Sequence, residues 1–323
     1  MYNAAKAASG NKQPFIMRRG ISGLDDLVDG NLAMGVALAG AKTVYYCDGN
    51  AGSDGATGIG GWSNAFKTLA AAIAASHADI ALNSLGWAAR NVILARGDSF
   101  TENLVLMPQK TDIIGCGHFD HNSMASLIGN HVPNATNETH GTRWFNFMFK
   151  GDATIGGDIW ILGAKCTGMQ FIGCKFSAVS ETPATAAIVA TAAPFLEIRD
   201  CLFTGAFSDA VIEFGIGDCR GLRITGCHIE GDEDGIEFAS GVTDGTAGLE
   251  EIMVVSDNTI ITTAICIDDD SDLVYTLRNN CFSGNAKGTT GFGVMDVLLL
   301  RSQDNRLTDS STANMISPAL GSL

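Results

Sequence analysis

Three acidic residues stand at similar places in the chain, and carboxylates are the acids and bases of many polysaccharide-acting enzymes. Glu213, Glu237 and Asp268 each lie 10 to 12 residues after the start of a repeated motif. If the repeats stack in register, these carboxylates form a column. A pair about 5 Å apart suits a retaining glycosidase, and a pair about 6.5–9.5 Å apart suits an inverting one. The spacing therefore makes these three residues the candidate catalytic group.

Four aspartates crowd the turns beside this column: Asp234, Asp269, Asp270 and Asp272. Oxygen ligands of this kind are those that Ca²⁺ prefers, so the group is a weak candidate for a calcium site. The alternative is a solvated acidic face on a chain with 35 acidic and 20 basic residues. We favour the acidic face because nothing basic or aromatic converges on it, and we expect no catalytic residue, metal or cofactor.

The charge balance excludes two classes of partner. The formal net charge of the 323-residue chain is −15, and no run of Lys and Arg occurs. A nucleic acid or an anionic membrane binds proteins through clustered basic residues, so neither is an expected partner. The apolar run at residues 32–41 is also too short to span a bilayer.

The motif places Cys or Asn two residues before Phe, Ile or Leu. Its six copies are 27, 26, 31, 22 and 25 residues apart, and each follows a short apolar run. Such a drifting period predicts a parallel β-helix with one coil per repeat, whereas a β-sandwich would not align the motif over six steps. The first residues of the copies are Cys174, Cys201, Cys227, Asn258, Asn280 and Asn305.

Stacking explains why these residue types recur. Parallel strands lie about 4.8 Å apart, so equivalent residues sit over one another. Cysteine is compact and tolerates burial, and asparagine amides can hydrogen-bond along a stack. The nine cysteines are an odd number without a CxxC pair, which indicates free thiols and assembly in a reducing cytoplasm.

The upstream sequence adds a resemblance. The segments "TVYYCDGNAGSDG", "AFKTLAAAIA", "NVILARGDSFTENLVL" and "TDIIGCG" follow one another up to residue 117, with a helix predicted near residues 64–76. This order resembles the opening of pectate-lyase-like right-handed β-helix proteins, in which it supplies a capping helix and the first coils. The fold class expected is all-β, a right-handed parallel β-helix with an N-terminal capping helix and arm.

Four regions follow from this reading. We expect an attachment arm, a capping segment with the first coils, an insertion with irregular coils, and regular coils with a C-terminal tail. Their bounds are residues 1–41, 42–117, 118–164 and 165–323. The insertion carries His118, Asp120, His121, His131 and His140, whose composition indicates a polar surface loop more than a metal site.

Fold alone does not give function in this superfamily, which includes lyases, glycoside hydrolases, esterases, adhesins and phage proteins. A polygalacturonase-like site would need Gly-His-Gly and Arg-Ile-Lys, and the chain contains neither. Four Trp and four Tyr also give few rings for sugar stacking. The resemblance to phage virion β-helix proteins implies a structural component of the capsid surface or tail. The alternative is a tailspike-like enzyme that uses the acidic column.

The assembly expected from this reading is a homotrimer in the virion, formed in the host cytoplasm. Residues 1–40 would bind other virion proteins, and host-surface polysaccharide is a further possible partner. The segment at residues 291–302 is more apolar than one buried strand face requires, which favours contact with another chain. The arm residues singled out for attachment are Met17, Arg18, Arg19, Leu24 and Leu27.

Overall fold

A computed structural model provides the structure of the chain. It describes residues 41–81, 90–97, 99–117, 124–133, 140–152, 156–178, 184–244, 253–271 and 275–284, and the strands at 301–303 and 306–307. The attachment-arm residues, Asp272 and Asn305 lie outside the described residues. So does most of the apolar segment at 291–302.

The first of three long sheets has ten strands, and every printed pairing in it is parallel. In spatial order its strands are Val44–Asp48 (β1), Asn91–Arg96 (β2), Thr111–Gly115 (β4), Arg143–Phe145 (β6), Gln170–Ile172 (β9), Glu197–Arg199 (β12), Arg223–Thr225 (β16), Met253–Ser256 (β20), Tyr275–Arg278 (β23) and Arg301–Gln303 (β25).

The second sheet has nine parallel strands. They are Phe100–Thr101 (β3), Ala125–Ile128 (β5), Phe147–Lys150 (β7), Lys175–Ala178 (β10), Leu202–Gly205 (β13), His228–Gly231 (β17), Thr259–Thr262 (β21), Cys281–Gly284 (β24) and Arg306–Leu307 (β26).

The third sheet has five parallel strands, and two short strands form a separate pair. The five are Trp160–Leu162 (β8), Ile188–Ala190 (β11), Ile212–Phe214 (β14), Ile236–Phe238 (β18) and Ile267–Asp269 (β22), and the pair is Gly217–Asp218 (β15) with Val242–Thr243 (β19).

The chain visits the sheets in a fixed order, which we describe as coils. From β2 onward, a coil contains one strand of the first sheet, then one of the second and, in the middle of the molecule, one of the third. Each strand pairs with its equivalent one coil later, so Phe176 is in register with Phe203 and Ile188 with Ile212. The parallel β architecture predicted from the repeat is confirmed: the molecule is mostly β with long parallel sheets, consistent with a β-solenoid.

A backbone corner separates the first sheet from the second. In six successive coils its residue has φ between 52° and 68°, a region that Gly, Asn and Asp occupy most readily. Those are the only types found there, because a branched or bulky residue would be strained. The corner residues are Asn146, Gly173, Asp200, Gly226, Asp257 and Asn279.

The residue after each corner points into the core. Cys174, Cys201 and Cys227 are free, and at most 2% of each is exposed. Each thiol lies within weak hydrogen-bonding distance of interior carbonyl oxygens, such as Cys201 Sγ to Arg199 O at 3.3 Å. We call these thiols, with Asn258 and Asn280 of the next two coils, the interior column.

The two asparagines of the interior column bind across coils. Asn258 Oδ1 accepts from the Cys227 backbone N–H at 2.9 Å, and Asn258 Nδ2 donates to Ile224 O at 3.0 Å. The same amide also donates to Asn280 Oδ1 at 3.0 Å. Side-chain amides therefore bind backbone groups of the neighbouring coil from inside the core.

Large apolar side chains form the next inward column. The rings of Phe176 and Phe203 stack with centroids 4.5 Å apart and an interplanar angle of 6°. Phe149 is in register with Phe176, so strands between residues 125 and 162 continue the same stacking upstream. Parts of the region expected to be an insertion thus belong to the three sheets.

The helix runs over Leu69–Ala81 (α1) and begins five residues later than predicted. Its start is displaced because Phe66 instead forms a bridge with Cys47, and because two carboxylates fix the first turn. Asp54 Oδ1 accepts from the Thr68 N–H at 2.9 Å, and Glu102 accepts from the first two helical N–H groups at 2.8 Å. Both acceptors are remote in sequence, so local periodicity could not reveal them.

Candidate functional site

The three candidate carboxylates lie on adjacent strands of the third sheet. Glu213 of β14 is in register with Glu237 of β18, which is in register with Asp268 of β22. Their neighbours along each strand, such as Ile236 and Phe238, are buried in the core. Because side chains alternate along a strand, the three carboxylates project from the outer face. We call them the carboxylate column.

Each member of the carboxylate column is half-buried and has a raised pKa. Burial is the largest cause throughout. For Glu237 it combines with repulsion from Glu213, Asp209, Asp268 and Asp234 to raise the pKa to about 7. A carboxyl group of this kind holds a proton near neutral pH, because ionisation would add another negative charge to an acidic surface.

Two of the contributing aspartates were not identified from the sequence. Burial is the main cause of the raised pKa of Glu213, and the negative charges of Asp209 and Asp158 raise it further. They precede β14 and β8 by two or three residues, in the turns that enter the third sheet. The only sequence signal is this position before a repeated apolar run, and it becomes meaningful once the strand register is known.

Three of the four calcium candidates, Asp234, Asp269 and Asp270, lie in the described part of the chain. Asp269 Oδ1 accepts from the Ser271 N–H at 2.9 Å, and Asp234 Oδ1 accepts from the Ile265 N–H at 2.8 Å. Asp270 is exposed. Within the described ranges, no group of three or more His, Cys, Asp or Glu side chains could hold a metal ion.

The carboxylate column could exchange protons or meet a positively charged surface. Adjacent strands are about 4.8 Å apart, so neighbouring carboxylates can share a proton. Among the described residues, no Lys, Arg or His forms an ion pair with any of the three. General acid catalysis requires a protonated group such as Glu237 beside an ionised partner, and the column offers that combination.

His131 does not belong to a polar surface loop. It is fully buried, its ring centroid is 4.6 Å from that of Trp160, and burial lowers its pKa to about 3. Its Nδ1 accepts from the Leu104 N–H at 3.2 Å. The expectation for this residue was wrong because His131 pairs with Trp160 as part of the stack. His118, Asp120 and His121 lie outside the described residues.

No family model, no curated protein and no solved structure matches this chain. In the part of the chain that the structure describes, α1 has 13 residues, and no helix is long and apolar enough to cross a membrane.

Proposed function

We propose that this chain is a structural component of a phage particle, a right-handed parallel β-helix that decorates the capsid or belongs to the tail. The observation that supports this most is the unbroken parallel stacking from β1 to β26. A solenoid in which each coil contacts only its neighbours makes a stiff rod, and a stiff rod suits display on a particle. The free interior thiols fit assembly in a reducing cytoplasm.

In this proposal α1 closes the first end of the rod. Leu69 and Ile73 of the helix belong to the main core, and the Tyr45 hydroxyl of β1 donates to Ala75 O at 3.4 Å. A solenoid end needs such a cover because it would otherwise expose apolar core and unpaired strand edges. The right-handed sense and the capping role are therefore parts of the proposal.

Attachment and assembly complete the proposal. Residues 1–40 precede the first strand, and we assign them the contact with another virion protein through Met17, Arg18, Arg19, Leu24 and Leu27. The chain forms a homotrimer on the virion. Size measurement of the purified protein with and without residues 1–40 tests the trimer, which should persist without the arm. Binding of the two forms to particles tests the attachment, because only the form that carries the arm should bind.

Location on the particle has a direct test. An antibody raised against the purified chain should label particles from the source phage at a defined place, on the capsid surface or the tail, in electron microscopy. Particles that remain unlabelled, from a lysate in which the chain is abundant, would contradict the virion role. Labelling of other particle proteins with their own antibodies provides the control.

A second function is favoured by one observation, the pKa of about 7 at Glu237 between two other carboxylates. This is the arrangement that a polysaccharide-acting hydrolase uses for its general acid. The test is release of reducing ends from a panel of bacterial surface polysaccharides by the wild type and by Glu237→Gln. The structural proposal expects no release by either protein, whereas release that Glu237→Gln loses at least 100-fold would establish the enzyme.

A further inference from the structure

One column of outward side chains on the first sheet is apolar through five successive strands. From β1 to β9 its members are in register, while strand neighbours such as Tyr45, Ile113 and Phe171 belong to the main core. The next residue in this column is Arg199, whose side chain is 46% exposed. We call the apolar members the apolar stripe: Tyr46, Leu94, Ile114, Phe145 and Ile172.

The apolar stripe is buried although it faces away from the core. Ile114 is 6% exposed and Ile172 is 4% exposed, whereas Ile261, an outward residue of β21 in the second sheet, is 37% exposed. All three are isoleucines that point away from the core, because side chains alternate along a strand. The difference in exposure therefore comes from atoms that lie over the stripe.

The described residues supply cover at one end of the stripe. Outside the strands, the described hydrophobic residues that pack on this face are Ala41, Trp62 and Cys116, and each is itself half-exposed. Trp62 contacts Tyr46 on β1, with ring centroids 5.1 Å apart, and Cys116 directly follows β4. Ile172 is buried two strands beyond Cys116. A further segment is therefore needed over the end of the stripe formed by β6 and β9.

The chain that precedes β1 has the composition and the position to supply this cover. Ala41 already packs on the buried residues of this face, so the chain enters β1 from the outside of the first sheet. Residues 32–41 contain no charged side chain, and the charges beside the stripe are already paired, since Asp112 binds Arg90 and Arg143. When extended, the run spans about 33 Å, which exceeds the roughly 19 Å from β1 to β9.

We propose that residues 32–41 lie across the outer face of the first sheet of their own chain and cover the apolar stripe. Residues 32–40 are outside the described residues, and the proposal gives them this place. Burial of aliphatic side chains on both surfaces provides the driving force. The attachment residues, between 17 and 27, precede the run, so the cover does not depend on the virion role. The run would fix the base of the arm to the solenoid and leave residues 1–31 to extend from it.

Cys116 is a native probe of the cover. Its thiol packs on this face, and burial raises its pKa to about 11, so uncovering it should speed its reaction with a thiol reagent. Val36→Asp places a charge within the run, and Val28→Asp makes the same change in the arm outside the run. Because a buried charge without a partner is costly, we expect Val36→Asp to raise the labelling rate of Cys116 at least about 10-fold and Val28→Asp to leave it unchanged. Mass spectrometry of the peptide that contains Cys116 measures the rate in the folded, full-length chain.

Photo-crosslinking identifies the covering segment directly. The photoreactive residue p-benzoylphenylalanine replaces Leu38 within the run or, as the control, Phe15 outside it, each in the full-length chain. After irradiation of a dilute solution, position 38 should be joined to peptides of β4, β6 or β9 within a single chain. Position 15 should give no crosslink to these strands. Circular dichroism checks that every variant is folded, and Val36→Ser replaces Val36→Asp if the latter does not fold, with faster labelling of Cys116 still expected.

The two experiments together decide the proposal. Crosslinks from position 38 to the strands of the stripe within one chain, with faster labelling of Cys116 in Val36→Asp alone, establish the cover. Crosslinks that join two chains overturn it in favour of a second copy. Crosslinks to other regions, or a labelling rate that Val36→Asp does not change, overturn it in favour of another segment of the chain. Antibody labelling of particles decides the virion role separately from all of these outcomes.

Discussion

The interior column and the carboxylate column run along the same coils, yet stacking has opposite consequences in the two. Inside, Asn258 and Asn280 bind each other and the backbone of neighbouring coils. Outside, burial and then repulsion from Glu213 and Asp268 raise the pKa of Glu237. Burial and nearby aspartates raise the pKa values of Glu213 and Asp268. Parallel register repeats a position regardless of whether its occupants attract or repel.

The difference lies in what each group can offer to a copy of itself. An amide carries both a donor and an acceptor, so a stack of amides satisfies itself. An ionised carboxylate only accepts, so a stack needs protons or an external cation. An amide column can therefore be a stable part of the core. A column of ionised carboxylates is destabilised by charge repulsion unless protons or an external cation neutralise it.

The sharpest test of the interior column is Asn258→Ala. It removes a buried amide that binds the Cys227 N–H and Ile224 O, so both groups lose their side-chain partner. Leaving buried polar groups unsatisfied costs about 1–3 kcal/mol each, and we expect the free energy of unfolding to fall by about 2–4 kcal/mol. Urea denaturation followed by circular dichroism measures the change.

Two variants bracket that result. Asn258→Cys places in this coil the residue that occupies the position in three earlier coils, so it should cost less than Asn258→Ala. Thr259→Ala alters the adjacent outward position and should change the free energy of unfolding by about 0.5 kcal/mol or less. Equal losses in Asn258→Ala and Thr259→Ala would mean that the amide stack contributes nothing.

The test of the carboxylate column is the pH dependence of Glu237→Gln. A carboxyl whose pKa is about 7 in the folded chain, against 4.5 ordinarily, binds more protons folded than unfolded between those values. The protonated form of Glu237 therefore contributes its full stabilisation below about pH 4.5, and this contribution is lost as the pH rises through about 7. The amide cannot ionise, so Glu237→Gln should be more stable than wild type by about 1–2 kcal/mol at pH 8 after solvent screening.

Denaturation curves at pH 5 and pH 8 provide the measurement. Wild type and Glu237→Gln should differ less at pH 5 than at pH 8. Glu230→Gln removes a carboxylate from the exposed face of the second sheet and serves as the matched control. A difference between Glu237→Gln and wild type that is the same at both pH values would contradict the repulsion in the column.

The fold was predictable from sequence because strict register repeats a local pattern. Cysteine or asparagine after a Gly, Asp or Asn corner marks five successive coils, and the observed pairings reproduce the predicted spacing, for example Phe176 with Phe203. The start of α1 was not predictable, because Glu102 and Asp54 reach its first turn from remote positions. Nor was the burial of His131, which depends on its pairing with Trp160.

The candidate site was predictable only in part. The offsets placed Glu213, Glu237 and Asp268 in one column, and the register has them there. Asp158 and Asp209 were missed because their contribution depends on the turns entering the third sheet.

The smallest expected effect belongs to the thiols and measures how the interior column divides its stabilisation between sulfur and amide. Cys201→Ala removes one buried sulfur and its weak contacts with Phe171 O at 3.4 Å and Arg199 O at 3.3 Å. Because a thiol is a weak donor and the cavity is one atom in size, we expect a loss of about 1 kcal/mol. The same urea denaturation measures it beside Asn258→Ala. A loss as large as that of Asn258→Ala would show that the thiols hold the corner as strongly as the amides do. The buried thiols should also react with a thiol reagent only after unfolding, since burial raises the pKa of Cys201 well above its ordinary value.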